Sequence, residues 1–371
     1  MSGRPDRAAF YLPSLEGGGA ERVVVALANH LAARALSVDL VLARANGPYA
    51  CEVSERVRVI DLGVRRVACS VPRLVRYFRR ERPRVMLSAM THANVAALFA
   101  RKLAGVATRM VVSEHASWSS DARCGPRMRE PAVRAVARQV YGEADRVVAV
   151  SNGVARELID KARLNAARVE VVYNPIDIDR ILVLSRVPVE HPWYRDASRP
   201  IVLGVGRLAA EKDFATLIRA FETVHRARGA RLVILGEGAE RARLRSYAAQ
   251  LGLEEAVALP GFVENPFPWM RRAAVLAMSS RREGFGNVLV EAMACGTAPV
   301  STDCPSGPAE VLEGGRWGRL VPLGDPAALA AAIVDGIDGR LACPEPDYLK
   351  RRFGVASAVS RYLEVMDCSC A

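Results

Sequence analysis

The chain alternates short apolar runs with stretches of helical periodicity, and this limits its fold more than any other feature. The runs fall at residues 8–12, 38–42, 57–61, 85–88, 110–113, 147–150 and 169–173, then at 201–205, 232–235, 257–259, 275–278 and 298–301. Strands that alternate with helices imply parallel, doubly wound sheets, because parallel neighbours need a crossover between them. A length of 371 residues exceeds what one hydrophobic core supports, so two domains are expected. Prolines 188, 192 and 200 break regular structure. Residues 1–175 then form the first domain, 176–199 an interdomain linker, 200–345 the second domain and 346–371 a terminal helical segment.

Charge divides the two halves. The formal net charge is +12, and residues 1–175 hold all of it, with 28 Lys and Arg against 16 Asp and Glu; the remainder holds 24 of each. A basic half implies an anionic partner, whether nucleic acid, an acidic membrane face or a phosphate-bearing substrate. Helical patterns over 72–82 and 127–141 set Arg73, Arg76, Arg79 and Arg80, and Arg127, Arg129, Arg134 and Arg138, around apolar stripes. The stripes read as core-facing, while an anionic leaflet attracts each such arginine by about 1 kcal/mol. Aromatics are only 6% of the chain and no nucleic-acid recognition motif is evident, so nucleic acid is the weaker alternative. No run of about 18 apolar residues and no signal-peptide centre occur, which places the expected location in the cytoplasm. The eight cysteines lack metal spacing and read as reduced thiols.

The richest stretch is 279–301, SSRREGFGNVLVEAMACGTAPVS. It reads as the end of a strand, a glycine-interrupted loop, a helix to about Gly296 and another strand. A helix N-terminus after such a loop suits a phosphate, and Gly284 and Gly286 allow close backbone approach. Glu283 precedes the helix, and Glu291 lies about one and a half turns inside it. At ~1.5 Å rise per residue, Glu291 sits ~8 Å from the phosphate end, the reach from a diphosphate to a ribose. Residues 8–22 repeat the strand, glycine loop and helix device around Gly17, Gly18 and Gly19. Arg207 and Lys212, five apart across a strand-to-helix turn, can bring two cations to a diphosphate. His115 follows the carboxyl end of a strand, where ligands of open parallel sheets lie.

The string Glu283-x7-Glu291 with Gly284-Phe285-Gly286 between, continuing through Ala292-Met293-Ala294-Cys295-Gly296, resembles the signature of the retaining glycosyltransferases of family 4. Gly17-Gly18-Gly19-Ala20-Glu21, Ser113-Glu114-His115, Asn174-Pro175, Arg207-x4-Lys212 and Pro260-Gly261-Phe262-Val263 are similar to further segments of that family, so the likeness spans nearly the full chain. The resemblance implies the GT-B fold, an α/β architecture of two Rossmann-like doubly wound domains facing an interdomain cleft. The first domain would take the acceptor and the second the nucleotide sugar, and the terminal helix would pack back on the first. On that likeness Gly18 and Gly19 abut donor phosphate and acceptor, and His115 binds the transferred sugar. Arg207, Lys212 and the Gly286 and Asn287 backbone stabilise the leaving phosphate. Glu283 orients the sugar, Glu291 the ribose, and Val263 receives the nucleobase.

The expected activity is transfer of a sugar from a nucleotide diphosphate to an acceptor hydroxyl, with retention. No covalent nucleophile presents itself, and no DxD-type metal clamp is apparent, so neither metal nor cofactor is expected. A basic acceptor domain suggests a polyprenyl-diphosphate-linked or soluble glycan acceptor, used at the inner membrane face during polysaccharide or glycan assembly. UDP-sugars are the favoured donors and GDP-mannose the alternative. A glycoside hydrolase would carry its two carboxylates ~5–9.5 Å apart on separate elements, and a dinucleotide oxidoreductase would show G-x-G-x-x-G at its first strand. Neither pattern fits.

Overall fold

The computed structural model describes residues 7–16, 18–34, 36–118, 130–196 and 198–367. These divide into two compact units: the first holds the described residues up to Trp118, those of 130–175 and those from Val355 onward, and the second holds Ile176–Gly354.

The first unit is built on seven strands: β1 (Arg7–Leu12), β2 (Ser37–Leu42), β3 (Val57–Asp61), β4 (Val85–Ala89), β5 (Arg109–Glu114), β6 (Arg146–Ala149) and β7 (Val169–Val171). All pair in parallel, in the order β3-β2-β1-β4-β5-β6-β7. Phe10 pairs with Leu40 on one side and Leu87 on the other. Their buried side chains meet Leu27 and Leu31 of helix Gly19–Ala33 and Val359, Tyr362 and Met366 of helix Val355–Met366. The last helix therefore completes the first unit's core.

The second unit holds β8 (Ile201–Val205), β9 (Arg231–Leu235), β10 (Val257–Gly261), β11 (Val275–Met278), β12 (Pro299–Thr302) and β13 (Arg319–Val321). They too are parallel, in the order β10-β9-β8-β11-β12-β13. Leu217 and Phe221 of helix Phe214–Arg228 and Leu329 and Ile333 of helix Pro326–Ile337 bury against this sheet. In each sheet the winding direction reverses once, between β1 and β4 and between β8 and β11. Ligands of open parallel sheets lie outside the carboxyl ends of the strands at such a reversal.

The expected strands agree with the observed ones to within two residues at each end, and β13 was not anticipated. The domain limits differ in two places. Residues 176–199 are not a bare linker, because Ile176 bridges to Gly354 and its N–H donates to Phe353 O at 2.8 Å. Helix Ile178–Leu184 then buries Ile178 and Ile181 among helices Asn287–Ala294, Phe267–Arg272 and Pro346–Phe353. The terminal segment is two helices, since Gly354 is extended (φ −66°, ψ 156°): Pro346–Phe353 stays with the second unit and Val355–Met366 joins the first.

Helix Val71–Glu81 buries Leu74, Tyr77 and Phe78, and helix Glu130–Val140 buries Ala137 and Val140, so both apolar stripes face the core. Arg127 and Arg129 lie outside the described residues. Among the described residues, no helix is long and apolar enough to cross a membrane.

Candidate active site

In the second unit the reversal sets β8 beside β11, with Val202 opposite Val275 and Leu203 opposite Leu276. Two loops leave their carboxyl ends, one carrying Arg207 and Lys212, the other Glu283. Lys212 Nζ donates to Glu283 Oε1 at 2.5 Å, with the two side chains 22% and 11% exposed. Ser280 Oγ donates to the same carboxylate oxygen at 2.6 Å. The loops are also stitched together behind this pair. Ser279 Oγ donates to Lys212 O (2.9 Å), the Arg281 N–H to Glu211 O (2.8 Å), and the Arg281 guanidinium meets Asp213 at 2.8 Å. Thr302 Oγ1 donates to Ser280 O at 2.6 Å, tying in the end of β12. Sequence reasoning missed Ser280, Arg281 and Thr302, since small polar residues in a loop carry no spacing signal.

Gly284, Phe285 and Gly286 are buried. Gly286 adopts φ +91° and ψ 54° as it opens helix Asn287–Ala294, a conformation that glycine takes without penalty. No side chain caps that helix start. The loop after β12 presses close, because a Cβ on Gly307 would lie 2.3 Å from Phe285 O. Glu291 is the helix's fifth residue and 7% exposed. Burial, and next the Glu291 charge, push the Cys295 thiol up to about 12; burial, and next the Glu283 charge, do the same for Cys304. Both thiols are therefore unreactive.

Arg207 does not join this cluster. Its guanidinium pairs with Glu211 at 2.8 Å, four residues along, and stays 61% exposed. Val263 lies just past β10 at the sheet's edge and is half-buried. The strand ends between are linked stepwise, with Gly206 N–H donating to Leu235 O (2.9 Å) and Gly236 N–H to Gly261 O (2.8 Å).

In the first unit Gly18 caps helix Gly19–Ala33, and a Cβ there would meet Glu21 Oε2 at 2.2 Å. The loop before it is anchored by Leu15 N–H to Asn46 O and by Asn46 Nδ2 to Glu16 Oε1, both at 2.9 Å. Gly17 lies outside the described residues.

His115 follows β5, with its Nε2 3.0 Å from Ser113 Oγ. Burial drives its pKa down to about 4, against an opposing interaction with the Asn174 side chain. The ring is therefore neutral at pH 7, and its buried Nδ1 makes no hydrogen bond of normal geometry.

Beside it stands a cluster that sequence reasoning missed. The buried Glu114 carboxylate accepts from Thr91 Oγ1 (3.0 Å), Asn94 Nδ2 (3.2 Å) and the Tyr141 hydroxyl. Asn94 also donates to Ser113 O at 3.0 Å. Burial pushes the Glu114 carboxyl upward. Its partners come from distant parts of the chain, which no local pattern reveals. Among the described residues, no three His, Cys, Asp or Glu side chains are placed to hold a metal ion.

Solved glycosyltransferases share this pair of parallel sheets. Anabaena HepE in complex with UDP-glucose matches with a TM-score of 0.79, 98% of this chain and 99% of that one covered, at 22% identity. The lipopolysaccharide outer core galactosyltransferase WaaB in its apo form matches with a TM-score of 0.73, covering 98% and 100%, at 21% identity. Fold and topology thus define the GT-B architecture.

The models for Glycosyltransferase Family 4 and Glycosyl transferases group 1 match residues 17–180 and 199–338. The N-acetylgalactosamine-N,N'-diacetylbacillosaminyl-diphospho-undecaprenol 4-alpha-N-acetylgalactosaminyltransferase of Campylobacter jejuni is 31% identical over 84% of this chain and 85% of its own. The amylovoran biosynthesis glycosyltransferase AmsD of Erwinia amylovora is 29% identical, with 80% of each chain covered. The chain belongs to glycosyltransferase family 4 and is a hexosyl- or N-acetylhexosaminyltransferase.

Proposed function

We propose that the protein moves a hexose or N-acetylhexosamine from a UDP-sugar to a hydroxyl of a glycan, polyprenyl-diphosphate-linked or soluble. Transfer proceeds with retention and without a metal, at the inner face of the cell membrane, in cell-surface polysaccharide or glycan assembly. The observation that carries this reading is the Lys212–Glu283 pair, held between the loops that leave the carboxyl ends of neighbouring β8 and β11.

In this reading Lys212 stabilises charge growing on the departing diphosphate, assisted by the N-terminus of helix Asn287–Ala294 and the backbone at Gly286 and Asn287. Arg207 joins by exchanging Glu211 for a phosphate, an ion pair whose guanidinium stays 61% exposed being worth only about 1 kcal/mol or less. Glu283 orients the sugar, Glu291 accepts from the ribose, and His115, neutral at pH 7, hydrogen-bonds a sugar hydroxyl. Gly18 and Gly19 abut the donor phosphate and acceptor. Val263 lies two strands from β8, about 10 Å at ~4.8 Å per strand, a separation that suits base and diphosphate. The departing phosphate takes the acceptor proton.

A UDP donor is favoured by the UDP-glucose complex of the HepE neighbour, and a lipid-diphosphate acceptor by the name of the Campylobacter relative and by the basic first half. A panel of UDP- and GDP-sugars, followed by thermal shift and by nucleotide release with and without EDTA, tests the donor and metal parts. NMR of the product's anomeric carbon tests retention. Stabilisation by GDP-mannose alone, loss of turnover in EDTA, or an inverted product would each overturn the corresponding part.

A further inference from the structure

Helix Thr91–Ala104 lies between helices Val71–Glu81 and Glu130–Val140 in the first unit. Its inward side is buried, with Ala93, Asn94, Ala97, Leu98 and Ala100. Its outer side carries Phe99, 39% exposed, and Leu103, 61% exposed, one turn apart. A single exposed apolar side chain needs no explanation. A pair at this spacing, rimmed by cations, combines the apolar and basic groups that meet an anionic membrane face.

The rim is well defined. Arg79 donates from its guanidinium to Leu103 O at 2.9 Å, which holds it beside that anchor. Arg80, 82% exposed, meets Glu81 at 3.3 Å, and Lys102 is 64% exposed; pairs this open to solvent leave both cations able to exchange partners. Just beyond, Arg101, Arg109, Arg146 and Arg168 line a cavity together with Lys102, Glu143 and Asp145. Their guanidiniums donate to the carbonyls of Glu143, Val365, Asp145 and Gly142 respectively. Lys102 pairs with Glu143 at 2.5 Å and Arg101 with Asp145 at 3.9 Å. Carbonyls do not cancel a guanidinium's charge, so five cations against these two carboxylates leave a net positive field beside the apolar pair.

We propose that this surface docks on an anionic lipid bilayer, with Phe99 and Leu103 entering the boundary between headgroups and acyl chains and the surrounding cations meeting lipid phosphates. The inference rests on the membrane-face part of the proposed function and adds the residues that make the contact. A bilayer, rather than an acidic protein or nucleic acid, is the occupant that uses both the apolar pair and the excess of positive charge.

The test is co-sedimentation of the full-length protein with phosphatidylglycerol–phosphatidylcholine vesicles and with pure phosphatidylcholine vesicles. Wild type, Phe99→Ser/Leu103→Ser and Arg80→Glu/Lys102→Glu are compared, with melting temperature and the donor-induced thermal shift recorded for each. Wild type should bind the anionic vesicles and not the neutral ones. Each double variant should lose about tenfold or more of that binding while keeping its melting temperature and donor response. Full binding by Phe99→Ser/Leu103→Ser would overturn the docking surface and leave the membrane-face reading standing. Failure of wild type to bind any vesicle would overturn both, leaving sugar transfer untouched.

Discussion

Lys212 and Glu283, 71 residues apart in sequence, form a 2.5 Å ion pair between loops that leave adjacent strands of one parallel sheet. Charged groups this well shielded interact more strongly than surface pairs, and each depends on the other for compensation.

Lys212→Met and Glu283→Gln should each lower kcat by roughly 10²–10³-fold, the scale seen when one preorganised charge-stabilising group is removed. Each should also cost about 1–3 kcal/mol of stability, because its partner is left uncompensated. Urea denaturation of the double variant should show a loss smaller than the sum of the two singles. The kcat of the double variant should be no higher than that of either single, which separates the pair's structural role from its chemical one.

Gly307→Ala tests the loop that backs the glutamate. Gly307 sits at φ +90°, and an added Cβ would press on Phe285 O. Both effects strain the backbone, at about 1–3 kcal/mol. The expected result is a lower melting temperature together with weaker donor binding, since Phe285 cannot move without carrying Gly284 and Gly286.

His115 should make stability pH-dependent in one window. Its native pKa of about 4 lies below the ordinary 6.5, so the unfolded state binds more protons between those values. Stability contributed by the neutral ring is thus complete above about pH 6.5 and is lost as pH falls towards 4, by up to about 3 kcal/mol. Thermal melts of wild type and His115→Gln from pH 4 to pH 8 should differ in slope within that window and run parallel above it.

Glu114 should behave in the opposite sense. Burial raises its carboxyl pKa, so the native state binds a proton more tightly than the unfolded state does, and stability falls as pH rises above the ordinary value of 4.5. Glu114→Gln preserves the shape and removes the titration, so chemical denaturation of this variant should lose that fall in stability with rising pH. Glu114→Leu, by contrast, strands Thr91, Asn94 and Tyr141 and should destabilise by about 2–4 kcal/mol.

The sequence by itself determined the strands, the glycine turns and the loop residues from which the candidate site is built. Apolar runs such as those of β8 and β11 are local patterns, and a glycine forced to positive φ, as at Gly286, marks its own position. Segments with too little local signal were illegible: three-residue β13, seven-residue helix Ile178–Leu184, and the break at Gly354 inside what read as one terminal segment. Only the tertiary structure decided which loops meet. Strand order brought Lys212 to Glu283, and gathered Thr91, Asn94 and Tyr141 on Glu114, while Arg207 turned to its own neighbour Glu211. Periodicity is set by nearest neighbours along the chain, whereas the reversal of winding that brings distant loops together is settled by packing of the whole sheet.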